Sequence, residues 1–183
     1  DPGELISEGF VPGIMEVGDL FEDGEIFLPE VMMAAEAMHA AVDILNKASE
    51  EAGGGKEAKA KVVLATVESD VHDIGKGIVA SLMVANGFEV FDLGRDVPSE
   101  KIVQTAIEKG CEYIGSSALL TTTMVNQEKI EKLLAEAGKK GEIKTIIGGA
   151  PVTTRWQDKI GADGFGESAA ESVRLINKWM EEK

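Results

Sequence analysis

Lys61-Val62-Val63-Leu64-Ala65-Thr66-Val67 is the segment that most narrows what this chain can become. It is apolar and rich in β-branched residues, with no polar alternation. Such a run needs both faces covered, as a strand inside a parallel sheet has them. Helix-period sequence follows over 75–85, and the pattern then repeats. Residues 89–93, 113–117 and 144–147 read as further strands, with a short fifth at 163–165. Between them, helices are expected over 99–109, with Ser99 as cap, over 124–137 and near 154–159; a last one spans 168–180. Five strands alternating with helices predict an α/β fold with a five-stranded, doubly wound parallel sheet. Ligands of such sheets bind beyond the carboxyl ends of the strands, at the topological switch point. Function is therefore sought in the loops after Val67, Leu93, Ser117 and Ile147.

Residues 1–52 differ: they read as helices alone. Leu5, Val11, Met15 and Leu20 suggest one amphipathic helix, and Asp23-Gly24-Glu25 breaks it. Pro29 suits the first turn of the next helix, where its missing N–H costs little. Val31, Ala35, Met38, Val42 and Leu45 then recur at spacings of three and four, one apolar stripe. Two helices cannot bury both stripes by themselves. They call for more helices, a second chain or a ligand, so the region is expected to be a small, incomplete helical bundle, with self-association through it. Residues 53–58, opening on three glycines, read as a flexible linker and hinge to an α/β domain over 59–183.

Composition excludes some partners. With 33 acidic against 18 basic residues the net charge is -15, which argues against nucleic acid and anionic membranes. The one cysteine, Cys111, cannot form an internal disulfide or a cysteine metal site, and a reducing, cytoplasmic setting fits. The chain opens on Asp1 without a secretory pattern and without a Met, so whether residues precede it is left open.

The loop after the first strand reads Glu68-Ser69-Asp70-Val71-His72-Asp73-Ile74-Gly75. Its acidic side chains disfavour the phosphate that many sheets of this class cradle here. A neutral imidazole at such an edge is a good transition-metal ligand. Asp70, two residues away on an extended loop, can accept the ring N–H turned away from the metal. One His with one Asp does not close a four-ligand site, so the metal must bring most of its own donors, as a macrocycle does.

Asp70-x-His72-x-x-Gly75 resembles the corrinoid-binding motif of the methionine synthase and corrinoid methyltransferase family. Ser117-Ala118-Leu119 resembles the family's Ser-x-Leu element, Gly148-Gly149 its Gly-Gly, and Phe27-Leu28-Pro29-Glu30 its helical cap. The resemblance spans essentially the whole chain and is strongest to the small corrinoid proteins of methylamine, methanol and O-demethylase systems. It implies a flavodoxin- or Rossmann-like sheet and a cobalamin or related corrinoid bound base-off/His-on. His72 would be the axial cobalt ligand, Asp70 would hold it, and Ser117 would extend that relay. Asp73 and Ile74 flank the histidine within the motif. Gly75, Ser117, Gly148 and Gly149 would make room for the nucleotide tail, with Leu119 and Thr121 lining the slot, Gly166 near its far end, and Phe27 over the methyl face. The implied function is a carrier that accepts a methyl group on cobalt from a substrate-specific methyltransferase. It passes the group to a second methyltransferase serving a folate or thiol acceptor, and a reductive activator keeps it active.

Three other readings are weighed against this one. A phosphoryl-accepting signalling domain needs an Asp after the third strand and a Lys after the fifth, where this chain has Ser117-Ala118 and Gly166-Glu167. A flavin carrier would need a phosphate site that the acidic loop disfavours. A corrinoid-binding sensor shares the cobalt motif but ordinarily carries an output module. The methyl donor, the final acceptor and the lower base are not written in the sequence.

Overall fold

The structure, a computed structural model, describes residues 5–51 and 58–182. A π-helical turn over Leu5–Phe10 leads into α1 (Val11–Glu22) and α2 (Leu28–Glu51). The chain then alternates: β1 (Lys61–Thr66), α3 (Ile74–Ala85), β2 (Glu89–Asp92), α4 (Ser99–Lys109) and β3 (Tyr113–Ser117). It continues through α5 (Val125–Glu136), β4 (Lys144–Gly148), α6 (Thr154–Ile160), β5 (Gly164–Phe165) and α7 (Ala169–Glu181). The strands pair in parallel in the order β2-β1-β3-β4-β5, so the switch point lies between the carboxyl ends of β1 and β3.

The run that dominates the sequence is the central strand, and its residues divide between two cores. Val62 and Leu64 face α3 and α7, while Val63, Ala65 and Val67 face α4 and α5. Each is at most 2% exposed, and burying a side chain of this size is worth roughly 1.5–3 kcal/mol. Cys111 sits in the second core, where burial, reinforced by Glu112, pushes its thiol up to about 11. That thiol stays protonated, and hence unreactive, at neutral pH.

The helical N-terminal segment precedes the sheet as expected, but its stripe is covered from within the chain. Val31, Ala35 and Met38 of α2 and Ile14 of α1 share a core with Ile78, Leu82, Val173 and Ile176 of α3 and α7. The partner that the stripe requires is therefore more helices of the same chain. The expected single helix from Leu5 also divides. Pro12 stands in the first turn of α1 and has no N–H to continue a helical ladder, and Leu5 is exposed. The linker expected at 53–58 lies, all but Ala58, outside the described residues.

Ser99 does not cap its helix: Pro98 holds the cap position, and the Ser99 hydroxyl donates to the Asn126 carbonyl at 3.2 Å. This bond ties α4 to α5. Among the described residues no helix is long and apolar enough to cross a membrane.

Candidate functional site

β1 delivers its chain to a tight turn. Ser69 is held at φ 65°, and the Asp70 N–H donates to the Val67 carbonyl at 3.1 Å. The turn drives the Asp70 side chain inward until it is fully buried. A buried carboxylate survives only with donors on its oxygens. Oδ1 accepts the His72 main-chain N–H at 3.1 Å and lies 2.8 Å from His72 Nδ1. Oδ2 accepts the Leu119 N–H at 2.7 Å and the Thr123 hydroxyl at 2.7 Å, with the Leu120 N–H at 3.3 Å. Burial by itself raises the Asp70 carboxyl. The bonds from Thr123, His72 and Leu119 outweigh it and hold the group well below the usual carboxylate range.

An ionised Asp70 fixes the imidazole. Nδ1 must carry the proton that points at Oδ1, so Nε2 presents a lone pair. The ring is 47% exposed, and its main-chain carbonyl is pinned by the Thr66 hydroxyl at 3.2 Å. Nε2 is thereby a preorganised single donor at the mouth of a cavity. Among the described residues no cluster of three or more His, Cys, Asp or Glu side chains could hold a metal ion. The donor set fits only a metal that arrives with its other ligands in place.

The cavity, about 730 Å³, runs from His72 down between the sheet and helices α3 and α7. His72, Asp73, Ile74, Gly75, Ser117, Leu119, Gly148, Gly149 and Gly166 line it, and Asp70 stands directly behind His72. The slot exists because small residues occupy the strand ends. Gly115, Ser117 and Gly148 share the face that looks into it, and a Cβ on Gly115 would overlap the Leu64 side chain. Gly149, at φ 126°, lies so close to β3 that a Cβ would overlap the Ala118 carbonyl. Behind the slot, buried Gln127 donates to the carbonyls of Ser116 and Gly148, at 3.0 and 3.1 Å, where the β3–β4 ladder ends. The deep walls are Leu64, Val79, Met83 and Ile146. A mostly apolar cavity of this size beside one histidine suits a macrocycle at the mouth with its tail inside.

Two expected placements differ. Thr123, and not Ser117, completes the hydrogen-bond relay on Asp70, because the β3–α5 loop folds back and brings Thr123 over the carboxylate. Ser117 lines the slot without a bond to Asp70. Thr121 is exposed and does not line the cavity. Phe27, just before α2, is 69% exposed and is not among the residues that line the cavity. The sequence reading also missed Gly115, whose signal was a glycine inside a strand. Lys76 was missed too: it lines the cavity and is ion-paired with Asp92 across α3 and β2.

Residues 60–174 match a family model described as a B12 binding domain, and residues 1–46 match a second model of that description. Trimethylamine corrinoid protein 1 of Methanosarcina mazei is 51% identical over 176 residues, covering 96% of this chain and 82% of that protein. A cobalamin-binding protein from Desulfitobacterium hafniense superposes with a TM-score of 0.85 at 39% identity, over 97% of this chain and 82% of that one. The methanol:cobalamin methyltransferase complex from Methanosarcina barkeri aligns with a TM-score of 0.83 at 35% identity, over all of this chain and 69% of the other.

Proposed function

The chain belongs to the B12-binding family, and from that premise we propose that it is the methyl-carrying corrinoid subunit of a methylamine- or methanol-type methyltransferase system. One observation carries the reading above the others. A fully buried carboxylate holds the Nδ1 of His72 and leaves Nε2 as the free nitrogen of a half-exposed ring that lines a slot built from small residues.

His72 Nε2 would hold the cobalt in place of the cofactor's own base, the base-off/His-on mode of corrinoid binding. Asp70 holds the proton on Nδ1, which raises the basicity of the opposite nitrogen, and Thr123 keeps Asp70 from turning. Asp73, Ile74, Gly75 and Leu119, which line the cavity beside His72, would lie under the corrin. Gly115, Ser117, Gly148, Gly149 and Gly166 would leave room for the nucleotide tail. When bound, the corrinoid supplies a cobalt that takes up a methyl group and gives it back. The protein's part is to hold and orient that cobalt, with the histidine bond adjustable through the Asp70 hydrogen bond.

The methanol complex supports a methyltransferase partner for this reading. A substrate-specific methyltransferase delivers the methyl group; the trimethylamine relative and the methanol complex favour those donor classes over methoxylated aromatics. A second methyltransferase to a folate or thiol removes it, and a reductive activator restores the cobalt. The single buried cysteine suits a cytoplasmic setting.

Turnover tests the proposal. The cobalamin-loaded, reduced chain is mixed with a methylamine or methanol methyltransferase and its donor. About one methyl group per bound corrinoid should be taken up, and released again when a second methyltransferase and a thiol are added. A loaded chain that accepts no methyl group from any such enzyme would contradict the carrier role.

A further inference from the structure

The turn that aims Asp70 and His72 is not stable on local grounds. Ser69 sits in the left-handed region at φ 65° although it is not glycine. The only other non-glycine described residue there is Asp96, at φ 54°, in the loop after β2. These two unusual residues meet. The Asp96 carboxylate accepts the Ser69 N–H at 2.7 Å, and the Asp96 N–H donates to the Asp70 carbonyl at 3.0 Å. Asp96 thus grips two consecutive residues of the histidine loop, one through its side chain and one through its backbone.

The loops are already in register around this grip. The Thr66 N–H bonds the Gly94 carbonyl at 2.9 Å, the Val97 N–H bonds the Thr66 carbonyl at 3.1 Å, and Val67 bridges Val97. Asp96 occupies the step between these bonds, where the β1–β2 ladder is interrupted. From the opposite side, the Asn126 amide donates to the Glu68 carbonyl at 2.8 Å. The turn is held between two arms, from β2 and from α5, while Asp96 itself is exposed and has no packing role. An aspartate tolerates the left-handed region better than most residues and supplies the acceptor that Ser69 lacks.

We propose that Asp96 is a positioning residue: by clasping Ser69 and Asp70 it sets the orientation in which His72 meets the cobalt. The cobalt part of this statement rests on the corrinoid reading; the clasp does not.

Three substitutions separate acceptor from backbone. Asp96→Asn keeps an acceptor oxygen and a left-handed preference. Asp96→Gly keeps the backbone conformation but removes the acceptor, and Asp96→Ala removes both. Amide hydrogen exchange over residues 68–72, without corrinoid, reads the clasp. Exchange should quicken about fivefold or more in the Gly and Ala variants and stay at the wild-type rate in the Asn variant. With cobalamin bound, the fraction of histidine-ligated cofactor should fall in the same two variants and be rescued in the third. Wild-type behaviour of Asp96→Gly, in exchange and in ligation, would overturn the side-chain role. Loosening in Asp96→Asn equal to that in Asp96→Ala would overturn it too. If the wild-type protein shows no His72-dependent signal, the axial-ligand reading fails, and the exchange rates alone judge the clasp.

Discussion

Asp70→Asn lowers the unfolding free energy by about 3 kcal/mol at neutral pH and removes the preference of His72 for one tautomer. The carboxylate is fully buried and receives donors on both oxygens: His72 on one, Leu119 and Thr123 on the other. An amide can accept on only one side. Whichever way it turns, its NH₂ confronts N–H or O–H donors that lose their partner in a place water does not reach. The effect has a sign in pH. The folded protein holds the Asp70 carboxyl well below its ordinary value of 3.8, so its contribution is fully present above that pH. It is lost as the pH falls toward the depressed folded value. The stability gap between wild type and Asp70→Asn should be constant from neutrality to about pH 4 and narrow below it. Urea unfolding of both proteins across that range checks this. A gap that widens in acid would mean that Asp70 is not the ionised hub.

Gly148→Val should leave the fold intact and lower corrinoid affinity by at least about 100-fold, roughly 2.7 kcal/mol. Gly148 closes β4 on the face that looks into the slot, and the one atom near an added Cβ is the Gly166 carbonyl oxygen at 3.4 Å. A β-branched residue suits a strand, so its methyl groups would enter the slot proposed for the nucleotide tail. The neighbouring glycine separates binding from folding. At Gly149 an added Cβ would overlap the Ala118 carbonyl, and the φ of 126° is strained for any other residue, so Gly149→Ala should cost the fold itself several kcal/mol. Equilibrium titration with cobalamin, beside thermal unfolding, distinguishes the two. Unchanged affinity in Gly148→Val would place the tail elsewhere.

What the sequence made legible was local. The central strand announced itself because burial on both faces leaves no room for polar alternation. The Asp70–His72 pair was legible because a spacing of two on an extended segment suffices to bring carboxylate and ring together. Thr123 was not, because its place over Asp70 depends on how the β3–α5 loop doubles back, and Thr121, Thr122 and Thr123 are chemically alike along the chain. The setting of Phe27 was not legible for a related reason. The seating of α2 is decided by Ile78, Leu82 and Val173, far away in sequence, and that seating leaves Phe27 facing solvent. Asp96 carried no signal either, since a left-handed aspartate reads as an ordinary loop residue until its partner Ser69 is seen beside it.

The central claim is that a nitrogen of this protein, at His72, is the lower ligand of the cobalt. Electron paramagnetic resonance of the chain carrying cobalt(II) cobalamin tests it directly. Protein grown with histidine labelled with the heavy nitrogen isotope, loaded with unlabelled cofactor, should change the nitrogen splitting of the cobalt signal, and His72→Ala should abolish that splitting while corrinoid stays bound. A splitting indifferent to the protein's isotope, or unchanged in His72→Ala, would contradict the account.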